Sequence, residues 1–260
     1  MINYDRHEYY NSELINSFIQ ILGHPLGYDK AMELAVFNDH RSCFYYWNRW
    51  KAQSNLTPDL ISFDWHNDLH NPNDMQMQLM KKLQPLKFYD ISIFTWKDLN
   101  TQNDDFILAA AYMNLVNDVY VVSKQYCDEN TFQFSDMNNN IHEVSIFSDK
   151  NELMQSLSKR TITNVYFDID LDYFTVKNGQ TNEAHKYTYM TNDEIYSIFS
   201  LDSDIMRWVI ERLEGITFAL EPKYSGGISK SLEYLSLIES LWFDNSLGNK
   251  NCNWRKNFCK

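Results

Sequence analysis

Two stretches, Leu60-Ile61-Ser62-Phe63-Asp64-Trp65-His66-Asn67-Asp68 and Val165-Tyr166-Phe167-Asp168-Ile169-Asp170, decide the reading of this chain. Each opens with apolar residues typical of a buried strand and ends in carboxylates, the first with a histidine among them. Side chains at alternate positions share a face while the backbone is extended. Asp64 and His66 therefore start out on one side, and a turn after the strand brings Asp68 back towards Asp64. Four aspartates that converge without a cation repel one another, so the pattern implies bound divalent metal.

Working outward, apolar runs alternate with segments of helical period. Strands are expected at Glu33–Phe37, Leu60–Phe63, Ile91–Thr95, Val119–Ser123, Glu143–Phe147, Asn164–Phe167 and Ile216–Leu220. Helices are expected at Arg41–Ala52, Asp74–Leu83, Asp104–Val116, Asn151–Lys159, Asp204–Leu213 and Ser229–Phe243. Thr191-Asn192-Asp193-Glu194 has the form of a capping box that opens a further helix over 192–199. The aromatic stripe Tyr45, Tyr46, Trp47 and Trp50 reads as the core face of a helix, with a peptide-binding surface as the alternative. Met137-Asn138-Asn139-Asn140 reads as a loop tip. This alternation predicts an α/β fold: a mainly parallel central sheet with helices on both faces, its active site beyond the strand C-termini.

The 260 residues suffice for one large domain over 1–260, with its core at about 33–240 and a tail at 245–260. A formal charge of −12 argues against a nucleic-acid partner and is compatible with a cationic substrate. No apolar run is long enough to span a membrane, and the N-terminus lacks the layout of a signal peptide. Cys43, Cys127, Cys252 and Cys259 form no Cys-x-x-Cys pair and read as reduced thiols of a cytoplasmic protein, Cys252 and Cys259 being the one candidate redox pair.

Two further residues stand at strand ends. His40 follows Ala35-Val36-Phe37-Asn38-Asp39 and, taken alone, reads as a polar residue opening the next helix. Glu221 ends Ile216-Thr217-Phe218-Ala219-Leu220, where it is either a surface acid or a group that binds a cation at the mouth of the sheet. Asp168 to Asp172, taken alone, suits a cap or loop role as well as ligation. Oxygen donors with a little nitrogen favour manganese, with iron, cobalt and zinc as rivals.

In the order His40, Asp64-Trp-His66-Asn-Asp68, Asp168-Ile-Asp170 and Glu221, the chain resembles the arginase/ureohydrolase superfamily across most of residues 33–240. Phe167 to Phe174, Ala219 to Gly227 and Asp105 to Tyr112 are similar to its divergent branch of peptide arginases, which turn arginine side chains of ribosomally made peptides into ornithine. The resemblance implies a three-layer arginase-like fold and two Mn2+ ions. By position it assigns His40, Asp64, Asp68 and Asp168 to one ion and Asp64, His66, Asp168 and Asp170 to the other. It pairs Glu221 with the substrate guanidinium, gives Asp68 a catalytic proton-handling role, and allows a homo-oligomer. The chain departs from the family pattern in three places. Asp172 sits one position early, with no proline after it. The segment Leu69-His70-Asn71-Pro72-Asn73-Asp74-Met75 lacks the polar loop that holds the α-groups of free arginine, leaving room for an arginine-containing peptide. No histidine matches the family's proton shuttle, and His70 is wrongly spaced for it.

The expected reaction is hydrolysis of an arginine side chain to ornithine and urea, with water activated between two metal ions. The alternatives are a metal-dependent deacetylase or other amidohydrolase on the same scaffold, and a non-catalytic, metal-stabilised peptide-binding protein. A calcineurin-like phosphoesterase also begins with Asp-x-His, but its Gly-Asp and Gly-Asn-His runs do not occur here.

Overall fold

The structure is a computed structural model that describes residue 14 and residues 16–125, 130–177 and 187–255. Its centre is an eight-stranded sheet. The strands are β1 (Ser17–Gly23), β2 (Ala31–Phe37), β3 (Asp59–Asp64), β4 (Val119–Ser123), β5 (Thr131–Ser135), β6 (Ile141–Phe147), β7 (Val165–Asp170) and β10 (Leu213–Ala219). Their spatial order is β1-β2-β10-β7-β3-β4-β6-β5. The six inner strands are parallel, while β1 and β5 pair antiparallel at the two edges. A short antiparallel pair, β8 (Thr175–Lys177) and β9 (Tyr187–Tyr189), stands apart.

Strand alternation sorts the apolar side chains into two cores. Ile61, Phe63, Phe167, Ile169 and Phe218 face one side, together with helices α5 (Lys150–Leu157), α6 (Asn192–Phe199), α7 (Asp204–Ile210) and α8 (Ile228–Trp242). Leu60, Tyr166, Val121 and Ala219 face the other, with α1 (Ser42–Ser54), α3 (Phe88–Lys97) and α4 (Phe106–Tyr112). The remaining helix, α2 (Asp74–Met80), starts at a capping box formed by Asn73 and Gln76. The fold is therefore α/β with helices on both faces of a mostly parallel sheet, as the sequence pattern predicts.

The chain adds β4 and β6 on one side of β3, then returns to place β7 and β10 on the other. Strand order thus reverses between β3 and β7. At such a switch point the connections diverge to opposite faces and leave a crevice at the strand C-termini. β3, ending at Asp64, and β7, ending at Asp170, both reach this crevice.

Residues 91–95 depart from expectation: the run is β-rich, yet it lies within α3. Ile91, Phe94 and Thr95 are buried at helical spacing, and Thr95 Oγ1 donates to the Ile91 carbonyl at 2.8 Å. Packing against α1 overrides local propensity. The helix expected over 104–116 is shorter, Phe106–Tyr112, and β1 and β5 carry edge strands that the apolar pattern does not announce. The capping box of α6 forms as expected, with Thr191 and Glu194 each accepting from the other's backbone N–H. Tyr45, Tyr46, Trp47 and Trp50 are buried, which makes the stripe core rather than a docking face. Asn138 and Asn140 donate backbone N–H groups to Asp136 in the turn between β5 and β6.

After α8 the chain folds back onto the body. Phe243 bridges to Trp254, and Trp254 Nε1 donates to the Gly23 carbonyl. Cys43 and Cys252 are free, buried thiols, while Cys127, Cys259 and the proposed Cys252–Cys259 pair fall outside the described residues. Among the described residues no helix is long and apolar enough to cross a membrane.

Gly215 gives a direct test of the packing between sheet and α1. A Cβ there would stand 2.6 Å from Cζ3 and 2.7 Å from Cε3 of the Trp50 ring, a side chain that is itself buried. Gly215→Ala is expected to cost about 1–3 kcal/mol through overpacking. A urea melt is the measurement, and an unchanged midpoint would show that the α1 interface is looser than described.

Candidate metal centre

Register decides which carboxylates meet. Ser62 of β3 and Thr217 of β10 both pair with Asp168 of β7, and Phe63 pairs with Ile169. One step further along, Asp64 comes level with Asp170 at the C-terminal edge of the sheet. Asp168 therefore sits one residue pair deeper than Asp170.

Asp168 is fully enclosed and its hydrogen bonds are complete. Oδ1 accepts from Thr217 Oγ1 at 2.6 Å and Cys43 Sγ at 3.2 Å. Oδ2 accepts from Ser62 Oγ at 2.7 Å and lies 2.9 Å from His40 Nε2. Burial alone would raise its pKa, but the His40 charge and the hydrogen bonds from His40, Thr217 and Ser62 outweigh burial and hold it below the usual carboxylate range.

With Nε2 of His40 committed to Asp168, Nδ1 points the other way. It lies 3.1 Å from Asp170 Oδ2, 3.2 Å from Asp68 Oδ2 and 3.3 Å from Asp64 Oδ2. The imidazole packs against Phe106 with ring centroids 4.5 Å apart and planes tilted by 53°, which restricts its rotation. Burial is the largest influence on His40 and opposes charge, but Asp168 and Asp170 prevail and raise it well above the usual histidine range. One ring N–H cannot satisfy three carboxylates, and Asp64 Oδ2 is buried with no hydrogen-bond partner. Burial, and next the charge of a neighbouring aspartate, pushes Asp64 up and Asp68 and Asp170 well up. An uncompensated knot of buried acids facing an imidazole nitrogen fits a divalent cation.

His66 lies at the opening. Its backbone N–H donates to Asp64 Oδ1 at 2.7 Å, and its Nδ1 is 3.0 Å from Asp172 Oδ2. Burial works against charge on His66, but the hydrogen bond and charge of Asp172, with Asp64 and Asp68, push it up to about 9. Asp172 is itself buried, and its Oδ1 accepts from the Trp65 backbone at 3.1 Å.

Two groups of donors suited to a metal ion thus share Asp64: His40, Asp64 and Asp68, and Asp64, His66 and Asp172. A third, His40, Cys43 and Asp168, is closed by the hydrogen bonds just described. All six sequence-predicted residues, His40, Asp64, His66, Asp68, Asp168 and Asp170, are brought to one end of the sheet. The structure adds Asp172, for which the sequence pattern allows a cap or loop role and ligation equally. Asp172 lies in the 3-10 turn Leu171–Phe174 directly after β7, which brings its carboxylate to the Trp65 backbone and to His66; the sequence signal is the continued alternate spacing of Asp168, Asp170 and Asp172.

Asp68 has φ +49°, the left-handed turn that swings its carboxylate back towards Asp64. Aspartate tolerates that conformation better than most residues. Glu221 is also left-handed, at φ +36°, and its backbone N–H donates to the Asn38 carbonyl at 3.1 Å. Its Oε1 accepts from the His40 backbone N–H at 2.7 Å and from Asn103 Nδ2. Burial pushes Glu221 up to about 7. A cleft of about 690 Å³ opens over the site, with Asp68, Asp170 and Glu221 in its floor and His70, Asp104, Gln125 and Tyr224 among its other lining residues.

No family model matches the sequence, and no curated protein matches it. Among solved structures the chain is similar to the crystal structure of an arginase from Helicobacter pylori, at 14% identity over 78% of this chain and 71% of that one, with a TM-score of 0.41.

The division between Asp168 and its neighbours is measurable. Asp168→Asn is expected to keep the number of Mn2+ ions bound at saturation while weakening affinity about 10- to 100-fold, the usual effect of removing a group that orients a ligand. Asp172→Asn is expected to lose one ion. Metal analysis after equilibrium dialysis reads both, and loss of an ion in Asp168→Asn alone would reverse the division. Mn2+ at about 100 times its dissociation constant should stabilise the native chain by about 2.7 kcal/mol, seen as a raised melting temperature.

Proposed function

We propose that the chain is a dinuclear metal hydrolase that cleaves the guanidinium group of arginine side chains within a peptide, giving ornithine and urea. The observation that carries the metal assignment is the unsatisfied cluster of buried carboxylates around His40 Nδ1, with Asp64 common to two donor groups. His40, Asp64, His66, Asp68, Asp170 and Asp172 would hold the ions, and Asp168 would fix the tautomer and orientation of His40. Manganese is the first candidate, because the set is oxygen-rich with two imidazoles. Divalent ions bound there supply the electrostatic activation that makes water a nucleophile at neutral pH.

The protein's own groups do the rest. Glu221 Oε1 is held by His40 and Asn103, and its Oε2 takes no hydrogen bond from the described residues, so this oxygen is free for a guanidinium N–H. Burial removes water that would weaken the contact. Asp68 sits at the cleft floor beside the positions the ions would take, where a carboxylate oxygen would accept the proton of the attacking water. A C–O bond forms at the guanidinium carbon, the bond from that carbon to the side-chain nitrogen breaks, and the proton passes to the departing amine.

The cleft supports the choice of a cationic substrate. Asp68, Asp104, Asp170 and Glu221 line it against one lysine, Lys223. A phosphorylated or other anionic substrate would meet repulsion there. An arginine side chain fills only a fraction of about 690 Å³, which leaves space for flanking peptide backbone. The resemblance drawn from the sequence motifs points to the same reaction, and a cytoplasmic location and a homo-oligomer accompany it as expectations.

The test is mass spectrometry of an arginine-bearing peptide after incubation with Mn2+-loaded protein. The expected result is a loss of about 42 Da per arginine, the mass of CN2H2 removed by hydrolysis, with urea in equal amount. Glu221→Gln should lower kcat/KM by about 10- to 100-fold through loss of a charge-assisted hydrogen bond. Release of acetate from an acetyl-lysine peptide, without urea, would replace this reading with a deacetylase.

A further inference from the structure

The loop between α3 and α4 carries no residue of the metal motifs, yet it enters the cleft and is built rigidly. Asp105 accepts from the Asn100 backbone at 3.1 Å and 3.0 Å and from Gln76 Nε2 at 2.5 Å, and Gln76 also donates to the Asp98 carbonyl at 2.7 Å. Asn100 Nδ2 donates to Asp104 at 2.7 Å, and the Asp104 carbonyl accepts from the His70 backbone at 2.7 Å. These contacts tie the loop to α2 and to the segment after β3, and they present Asn103 to the site in a left-handed conformation, φ +58°.

Asn103 is buried, and its amide is used on one side only. Nδ2 donates to Glu221 Oε1, whereas Oδ1 has no hydrogen-bond partner and no contact with water. A buried acceptor left empty is unfavourable, and a donor arriving beside Glu221 removes that penalty.

We propose that Asn103 is a specificity-determining residue, whose Oδ1 accepts an N–H of the substrate guanidinium while its Nδ2 holds Glu221 for the same group. The inference rests on the guanidinium reading above. Glu221 Oε2 and Asn103 Oδ1 are the acceptors left without a hydrogen bond from the described residues at this corner of the cleft. A guanidinium, which carries donors alone, satisfies both. The ureido group of citrulline would turn an oxygen towards one of them, and the single ammonium of lysine is too compact to reach both in a planar fork.

Asn103→Gly and Asn103→Asp separate recognition from support, because both residues tolerate φ +58° and both lack the N–H given to Glu221, while only the aspartate keeps an acceptor oxygen. Urea release from acetyl-Gly-Arg-Gly-amide is followed in Mn2+-loaded wild type and variants, with the lysine and citrulline peptides as competitors and bound Mn2+ and melting temperature as controls. For Asn103→Gly, the expected result is a KM raised about 10- to 100-fold, as for loss of a hydrogen bond to a charged group, with Mn2+ content unchanged and weaker discrimination against the competitors. Asn103→Asp should raise KM less than Asn103→Gly does, since the acceptor is retained. Equal losses in the two variants would show that Asn103 acts only through Glu221, and an unchanged Asn103→Gly would remove it from recognition altogether; either overturns the proposal. Wild-type protein that carries Mn2+ but releases no urea would instead sink the guanidinium reading, and this inference with it.

Discussion

Repulsion among buried carboxylates is the constraint on which the rest of this structure depends. Asp64, Asp68 and Asp170 direct oxygens to within 3.3 Å of one imidazole nitrogen, and all three are buried. Nothing in the protein neutralises them fully. Such an arrangement persists only because parallel pairing of β3 and β7 forces the strand ends together, and two apolar cores hold those strands from both faces. The stability of the cores is spent on holding an unfavourable cluster in place.

The layer beneath shows how that cluster is kept orderly. Asp168 differs from Asp170 by two residues, yet hydroxyls from both neighbouring strands, a thiol and an imidazole surround it. Its charge is compensated, and in the proposed reading it orients His40. Asp170, one residue pair closer to the cleft, has no such hydroxyls. The same side-chain chemistry acquires two roles from depth in the sheet alone. Backbone strain follows the same boundary: Asp68 and Glu221, both at positive φ, lie where the chain leaves β3 and β10, so the turns aim side chains into the cleft instead of continuing the strands.

Much of this was legible in the sequence. Apolar runs ending in acids located β3 and β7, and alternation with helical segments gave the fold class. His40, which reads alone as a helix-opening residue, is legible as a site residue only in the company of the other motifs. What stayed hidden depends on pairing between distant segments. The sorting of Asp168 from Asp170 and Asp172 requires the register of β7 against β3 and β10, which no local pattern encodes. The α3 helix was masked by β-branched and aromatic residues whose burial at 91, 94 and 95 is set by α1. Asn103 lies in a polar loop of ordinary turn composition. Its significance comes from Glu221, 118 positions away.

The positions of Glu221 and Asn103 connect the two halves of the site. The backbone N–H of His40 donates to Glu221 Oε1, while the His40 ring faces the carboxylate cluster. One residue therefore contacts both the carboxylate cluster and Glu221, the group that would meet the substrate in the proposed reaction. Displacement of His40 would disturb both together, so the separation between cluster and substrate anchor is set by a single rigid backbone step at the end of β2. Hydrolysis between fixed groups gains most of its rate from such pre-set distances. The braced loop that brings in Asn103 extends the same rigidity to the third side of the cleft, which explains why a segment without metal-binding chemistry carries so many side-chain to backbone hydrogen bonds.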